Sequence, residues 1–229
     1  MTRQLQYDRR GPQSGTAKQV VVFLHGYGAN GADLLGLADP LGPHMPDTAF
    51  VAPDAPEPSA ANPMGFQWFP IPWLDGSSEK DAAASMAQAV DDLNRFLDKV
   101  LADEGLTPDR MILFGFSQGT MMSLHVAPRR PDPVAGIVAF SGRLLEPDRL
   151  ESEVVSRPPV LLVHGDRDEI VPPASLPAAA DALSKAGFEV YAHVMEGAGH
   201  EIAPDGLSVA LSFMRDKLGL GQKSPANPG

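Results

Sequence analysis

One serine stands in surroundings that favour nucleophilic chemistry. The segment Gly115-Phe116-Ser117-Gln118-Gly119 follows an apolar run at residues 111–114 and opens a helix-compatible run at residues 118–127. A serine at a tight strand-to-helix turn takes up a strained conformation that exposes its hydroxyl. Glycines on both sides suit such a turn, because the strand end and the helix start pass close together. The segment therefore predicts a nucleophile beside the free N–H groups of a helix N-terminus.

An acid and a base follow this serine along the chain. Asp168 and then His200 come later in the sequence, each in a glycine-containing segment that follows an apolar run. A serine hydroxyl is a weak nucleophile near neutral pH, and an imidazole can take its proton and return it to a leaving group. A carboxylate fixes the imidazole tautomer and stabilises the imidazolium. The order Ser, Asp, His is that of the α/β-hydrolases.

A tetrahedral oxyanion needs two hydrogen-bond donors. The N–H of Gln118 directly follows the serine, and the second donor should come from the loop near Leu24 and His25. That loop follows the first buried strand, so it should lie at the same edge of the sheet as the serine.

Several residues compete for these roles. Asp166 is the rival of Asp168, and any of the six histidines could be structural. A metal cluster of His25, His164 and His200 with an aspartate is a further alternative. Ser141 also lies at a predicted strand end, but no Gly-x-Ser-x-Gly surrounds it, so hydrogen bonding is its expected role. We expect no metal and no cofactor.

The elements that must position these residues alternate between strand and helix. Continuous apolar runs, which are typical of strands buried on both faces, end directly before the loops that carry His25, Ser117 and Asp168. The predicted strands are residues 19–24, 49–52, 111–114, 134–140, 160–163 and 189–194, and the main predicted helices are residues 32–38, 79–104, 118–127, 174–186 and 204–218. This alternation predicts an α/β fold with a mostly parallel central sheet and helices on both faces.

No linker divides the chain, so a single domain over residues 1–218 is expected, with a disordered tail at residues 219–229. Residues 1–18 fit either an edge hairpin or a loose arm. The proline-rich stretch at residues 53–78 is the longest irregular one. Its aromatic content predicts an ordered loop that covers a binding site. The alternative is that these aromatic side chains only fill the edge of the core.

Composition excludes several classes of function. The 229 residues carry a net charge of -11 with a pI of about 4.9, which disfavours nucleic-acid partners. There is no cysteine, which removes disulfides and thiolate nucleophiles. Neither an apolar signal segment nor a run long enough to span a bilayer is visible, so no stable membrane insertion and a cytoplasmic location are expected.

Four stretches together resemble the phospholipase/carboxylesterase family of α/β-hydrolases, which includes the acyl-protein thioesterases. They are residues 23–28, 115–119, 164–172 and 199–202, and the pair Trp68-Phe69 also fits a family feature. The resemblance covers about residues 18–217. It implies a triad at Ser117, Asp168 and His200, oxyanion donors at Leu24 and Gln118, and a compact α/β-hydrolase fold with no large lid domain. Thr120 replaces a glycine common in the family, and we expect it to adjust helix packing while leaving the triad intact.

The sequence therefore predicts a serine carboxylesterase that acts on small to medium acyl esters, with Phe66, Trp68 and Phe69 lining the substrate pocket. Acyl thioesterase and lysophospholipase activities are the alternatives within the family. A non-catalytic ligand-binding protein on the same fold is the alternative from another class. A small-molecule ester is the expected partner. The oligomeric state is not readable from the sequence, and a homodimer is left open.

Overall fold

The computed structural model describes residues 3–221, and strands alternate with helices along this part of the chain. The strands are β1 (Tyr7–Arg10), β2 (Gln19–Leu24), β3 (Thr48–Pro53), β4 (Glu57–Pro58), β5 (Phe66–Gln67), β6 (Met111–Phe116), β7 (Gly136–Phe140), β8 (Val160–Gly165) and β9 (Val190–Met195). The helices are α1 (Gly31–Leu35), α2 (Ala38–Leu41), α3 (Pro72–Asp75), α4 (Glu79–Glu104), α5 (Gln118–Val126), α6 (Pro147–Glu153), α7 (Ser175–Lys185) and α8 (Pro204–Lys217).

Seven strands form one sheet in the order β1-β3-β2-β6-β7-β8-β9. All neighbouring pairs are parallel except β1 and β3, which are antiparallel. The central strands β2, β6 and β7 are rich in β-branched and aromatic residues and are buried except at Phe116, the last residue of β6, as expected for parallel strands covered on both faces. The predicted mostly parallel sheet is confirmed.

The two faces of the sheet carry separate cores. Along β2, Val22 points into one core with residues of α4, α5 and α7, while Phe23 points into the other with residues of α1 and α8. This alternation is the two-residue period of a strand. Helices therefore cover both faces, as the sequence predicted, and no separate lid domain is present within residues 3–221.

Both ends of the described chain differ from what the sequence suggested for them. Residues 7–10 form an edge strand that pairs with β3. These residues therefore form neither the hairpin nor the loose arm that the sequence suggested. At the other end, Gly219 and Leu220 donate hydrogen bonds back to the last turn of α8, and Leu220 packs on the core. Residues 219 and 220 therefore continue from α8 with defined contacts, and residues 222–229 of the predicted disordered tail lie outside the described residues.

The predicted irregular stretch after β3 contains ordered elements. β4 and β5 form a short antiparallel pair, and α3 follows them. Phe66 also forms a bridge to Ala29 in the loop after β2, so this stretch lies against the carboxyl edge of the sheet. No helix between residues 3 and 221 is both long and apolar enough to cross a bilayer. The cytoplasmic location stays a prediction.

Candidate active site

Ser117 occupies a strained turn between β6 and α5. Its φ of 53° and ψ of -114° fall in a region that non-glycine residues rarely adopt. A Cβ on Gly119 would lie 1.8 Å from the Leu24 carbonyl oxygen, and one on Gly115 would lie 2.5 Å from the Thr120 nitrogen. Only glycine fits at these two positions, so the turn has the geometry of the predicted nucleophile elbow.

The end of β7 supports this turn from the side. The Phe140 carbonyl accepts the Ser117 N–H at 2.9 Å and the Thr120 hydroxyl at 2.7 Å. A Cβ on Gly142 would lie 2.4 Å from Thr120 Cγ2, so the threonine side chain fills the space that Gly142 leaves. Thr120 therefore does more than adjust helix packing, because its hydroxyl donates to the same carbonyl that accepts the N–H of Ser117.

Asp168 and His200 are in direct contact. His200 Nδ1 lies 2.7 Å from Asp168 Oδ2, and the other carboxylate oxygen accepts the N–H groups of Ile170 and Val171 at 2.9 and 2.8 Å. Burial acts to raise the pKa of Asp168, but the hydrogen bonds from His200, Val171 and Ile170 outweigh it and hold that pKa below its ordinary value. The carboxylate is therefore ionised and fixed in orientation at neutral pH.

Asp166, the alternative candidate for the acid, has a different hydrogen-bond partner. Asp166 Oδ1 accepts the backbone N–H of Gly197 at 2.7 Å, and its side chain is exposed. His164, which sequence reasoning treated as one of several structural candidates, lies 3.2 Å from Asp168 Oδ2 and 2.9 Å from the Val171 carbonyl. The structure thus sets Asp168, and not Asp166, against His200, with His164 behind the carboxylate.

The serine and the histidine share one edge of the sheet. The ring of His200 lies 4.9 Å, centroid to centroid, from the ring of Phe116, the residue before Ser117. His200 is half-buried, with its side chain 19% exposed. The loops that carry these two residues therefore lie close together at the carboxyl edge of the sheet.

The loop after β2 lies against the serine from the other direction. A Cβ on Gly26 would lie 3.2 Å from Ser117 Cβ. In this loop His25 is fully buried, accepts the Ala55 N–H at Nε2 (2.9 Å) and donates from Nδ1 to the Gly26 carbonyl (2.7 Å). Burial lowers the pKa of His25, with smaller opposing effects from the bond to Gly26 and from Asp54, so the ring is neutral.

That arrangement bears on the alternative of a metal cluster. Both nitrogens of His25 are occupied by backbone groups, which leaves no lone pair to bind a metal ion. Among residues 3–221, no group of three or more histidine, cysteine, aspartate or glutamate side chains is arranged to hold a metal ion. His25 therefore serves the structure of its loop.

The three aromatic residues predicted to line the substrate pocket have different surroundings. Trp68 is 0% exposed, so the prediction that it lines the pocket was wrong, because its ring has no surface left for a ligand to contact. Phe66 and Phe69 are half-buried and pack against the core, so they keep some accessible surface. Sequence reasoning could identify the aromatic pair but not which ring would be buried.

Sequence reasoning also missed the side chain of Gln118. Its Oε1 accepts the Trp68 N–H at 2.8 Å, and its Nε2 donates to the Phe69 carbonyl at 2.7 Å. The Trp68 indole N–H in turn donates to the His25 carbonyl at 3.0 Å. The sequence shows a tryptophan at position 68 and a glutamine directly after the serine, but no pattern in it indicated that both would be buried or that they would be paired.

A mostly parallel sheet with helices on both faces and a strained serine after its central strand defines an α/β-hydrolase. Residues 11–218 match the family model described as Phospholipase/Carboxylesterase. The chain therefore belongs to the phospholipase/carboxylesterase family and is a hydrolase of the carboxylesterase type.

Known relatives agree with this assignment. Esterase YpfH of Escherichia coli is 28% identical over 199 residues, covering 87% of this chain and 83% of that protein. Acyl-protein thioesterase 1 of Saccharomyces cerevisiae is 30% identical over 215 residues, covering 88% and 94%. The crystal structure of esterase PE8 matches with a TM-score of 0.89 and 42% identity, covering 94% of this chain and 100% of that one.

Proposed function

We propose that the protein hydrolyses carboxylic esters of small to medium acyl groups through Ser117, His200 and Asp168. The observation that carries the proposal is the 2.7 Å contact between His200 Nδ1 and the Asp168 carboxylate, beside a strained serine at the same edge of the sheet. An ionised carboxylate accepts hydrogen bonds only, so neutral His200 carries its proton on Nδ1. Nε2 is then the nitrogen left to act as the base.

The reaction proceeds in two halves. Ser117 Oγ attacks the acyl carbonyl while His200 Nε2 takes the hydroxyl proton, and the resulting imidazolium is stabilised by Asp168. The same proton then goes to the alcohol oxygen as the carbon–oxygen bond breaks, which leaves an acyl-enzyme. Water then attacks the carbonyl of the acyl-enzyme, with His200 again as base and then as acid. This step releases the carboxylic acid and the free serine.

The oxyanion is stabilised by the backbone N–H groups of Leu24 and Gln118. Gln118 is the first residue of α5, so its N–H has no partner within the helix and lies at the positive end of the helix dipole. Leu24 is the last residue of β2. A Cβ on Gly119 would lie only 1.8 Å from its carbonyl oxygen, so this end of β2 passes directly against the first turn of α5. Removal of one such donor lowers kcat by about 10²–10³-fold in enzymes of this kind.

The ester preference is supported by the names of two relatives, esterase YpfH and esterase PE8. A second candidate, hydrolysis of acyl thioesters, is favoured by the similarity to the yeast acyl-protein thioesterase. Either substrate presents the same carbonyl to Ser117, because the leaving atom alone differs. Lysophospholipids are the third substrate class within the family.

The test compares p-nitrophenyl esters of increasing chain length with long-chain acyl thioesters and lysophospholipids. We expect the highest kcat/KM on short to medium esters, and no turnover above background by the Ser117→Ala variant. Ser123→Ala is the matched control, because this buried serine lies in α5 and bonds only to the Gly119 carbonyl within the same helix. Unchanged ester turnover by Ser117→Ala would disprove the mechanism, whereas a preference for thioesters or lysophospholipids would change only the substrate.

A further inference from the structure

His164 lies directly behind the carboxylate that contacts His200. It belongs to β8, which runs between β7 and β9, and its side chain is 3% exposed. Its Nε2 lies 2.9 Å from the Val171 carbonyl oxygen and 3.2 Å from Asp168 Oδ2, the same oxygen that His200 Nδ1 contacts at 2.7 Å. Two imidazole rings therefore lie against one carboxylate oxygen, and the proposed function gives a role to His200 alone.

The partners of His164 determine which of its nitrogens carries a proton. A carbonyl oxygen and an ionised carboxylate accept hydrogen bonds and cannot donate them, so Nε2 must be protonated. That N–H donates to the Val171 carbonyl and turns the positive end of its dipole toward Asp168 Oδ2. Val171 is buried, so loss of this donor would leave its carbonyl in surroundings where water does not readily replace it.

The segment that His164 holds runs along the surface. Glu169 and Ile170 are exposed, and 63% of Ile170 is accessible to solvent. Within the segment, Asp168 Oδ1 accepts the N–H groups of Ile170 and Val171, which ties the carboxylate to the Val171 peptide. The bond from His164 then connects this peptide to a strand in the interior of the sheet. His164 therefore helps to determine where the Asp168 carboxylate lies.

We propose that His164 is a positioning residue that holds the Asp168 carboxylate against His200 Nδ1. The proposal rests on the proposed function, since it assumes that Asp168 orients His200 during the reaction. His164 contacts the carboxylate and not the reacting atoms, so its effect on the rate passes through Asp168. Such an effect can be large, because a displacement of about 1 Å in a catalytic group can slow a reaction by about 10²-fold.

The first test is His164→Met, which replaces the ring by an apolar side chain of similar length. We expect kcat per folded protein to fall about tenfold while KM changes less than about twofold, because the buried ring is screened from the substrate. His164→Gln keeps an N–H donor of similar reach and should retain most of the parent kcat. An equal fall in the two variants would overturn the proposal, because the shape of the ring and not its N–H would then matter.

The same His164→Met change in an Asp168→Asn background separates positioning from general structural damage. Residues that act as a unit have strongly non-additive effects, so a group that acts through the carboxylate should matter little once the carboxylate is gone. We expect the change to lower kcat less than about twofold there. A tenfold fall in both backgrounds, or a parent kcat in His164→Met alone, would overturn the proposal.

The chain offers a control in another half-buried histidine. His125 lies in the last turn of α5, and its Nδ1 has no hydrogen-bond partner among residues 3–221. His125→Met removes an imidazole without removing a contact to Asp168, so we expect its kcat to equal that of the parent protein. Ser117→Ala is measured in parallel, because turnover by that variant would show that the proposed function had failed, independently of His164.

A second measurement on the parent protein covers the case in which His164→Met does not fold. NMR spectroscopy with isotope-labelled histidine shows which ring nitrogen carries a proton. We expect His164 to be protonated at Nε2, the nitrogen that faces Val171 and Asp168. A proton on Nδ1 alone would overturn the proposal, because Nε2 could then donate to neither group.

Discussion

Two loops at the carboxyl edge of the sheet each place a histidine beside a glycine, and the two histidines are held in opposite ways. His25, after β2, is fully buried and has both ring nitrogens bonded to backbone groups. His200, after β9, is half-buried and has one nitrogen on the Asp168 carboxylate. Similar sequence settings thus give one ring that is fixed in place and one that keeps a nitrogen for chemistry.

This difference corresponds to a division of labour in the proposed site. Backbone donors work best when they cannot move, so the side containing His25, Trp68 and Gln118 is buried and its side-chain polar atoms are bonded. A general base must exchange protons with the substrate and with water, so it needs one unoccupied nitrogen and some access to solvent. Changes on the His25 side should therefore reduce stability first, and changes on the His200 side should reduce activity first.

Among variants that keep Ser117, the largest effect is expected for Asp168→Asn. An amide can donate to His200 Nδ1 and so favours the tautomer in which Nε2 carries the proton, which removes the base. By analogy with the serine proteases, kcat should fall by about 10⁴-fold. Steady-state kinetics on a p-nitrophenyl ester will measure the loss.

The neighbouring carboxylate provides the control for that variant. Asp166 is exposed and accepts only a backbone N–H from Gly197, so Asp166→Asn should change kcat by less than about threefold, as for most surface substitutions. Equal losses in the two variants would contradict the assignment of Asp168 to His200.

The opposite side is tested by His25→Ala, which removes the partners of the Ala55 N–H and the Gly26 carbonyl. Two buried backbone groups left unpaired should lower the free energy of unfolding by about 2–5 kcal/mol. Urea denaturation will measure this, with exposed His44→Ala as the control, for which a change below about 0.5 kcal/mol is expected. A His25→Ala protein as stable as the control would show that the loop does not depend on its ring.

The pH dependence of stability should also reflect the fixed ring. Because burial lowers the pKa of His25, the folded protein keeps this ring neutral while the unfolded chain takes up a proton below about pH 6.5. Stability should therefore fall as the pH drops below 6.5, by at most about 1.4 kcal/mol per pH unit for this group. The low pKa of Asp168 has its effect in another range, because that stability is present above about pH 3.9 and is lost as the pH falls from there through the lower pKa of the folded protein.

Urea denaturation between pH 7 and pH 5 can isolate the contribution of His25. Burial, with an added effect of Arg129, also lowers the pKa of His125, so the reference protein should carry His125→Asn. Adding His25→Asn to that reference should flatten the remaining decrease in stability. An unchanged slope would mean that His25 is protonated in the folded protein.

The smallest expected effect concerns the support of the elbow from β7. Thr120→Val keeps the shape of the side chain beside Gly142 but loses the hydrogen bond to the Phe140 carbonyl. We expect about 1 kcal/mol lower stability and a fall in kcat of a few fold, with Thr120→Ser restoring both. Loss of the Ser123 hydroxyl in Ser123→Ala should affect stability alone, and an equal fall in kcat there would show that the Thr120 bond has no special role.

Much of the fold could be predicted because the pattern of apolar runs is local. The buried strands β2, β6, β7 and β8 and the long helix α4 were each identified within two residues of their ends. The boundary at Gly219 was missed, because the contact of Leu220 with the core depends on residues far away in the sequence. The pairing of β4 with β5 was missed for a related reason, since two-residue strands carry too few side chains to show a period.

The site shows the same limit at the level of single side chains. The glycines around Ser117 could be recognised because a strained turn requires them, and the order of the acid and the base narrowed the search to a few residues. The sequence left open whether His25 would be used for structure and whether aromatic residues such as Trp68 would fill the edge of the core. Nothing in it indicated that His164 would lie behind Asp168. The outcomes for His25 and Trp68 depend on hydrogen bonds between residues 30 to 50 positions apart, such as Ala55 to His25 and Trp68 to Gln118.

The most direct test of the account is to react the protein with a fluorophosphonate and locate the adduct by mass spectrometry of its peptides. An activated serine attacks the phosphorus and retains the label, whereas an ordinary serine does not react. We predict a single adduct on Ser117, formed far more slowly in the Asp168→Asn variant and not at all in Ser117→Ala. An adduct on another residue, or labelling of Ser117→Ala at the parent rate, would contradict the account.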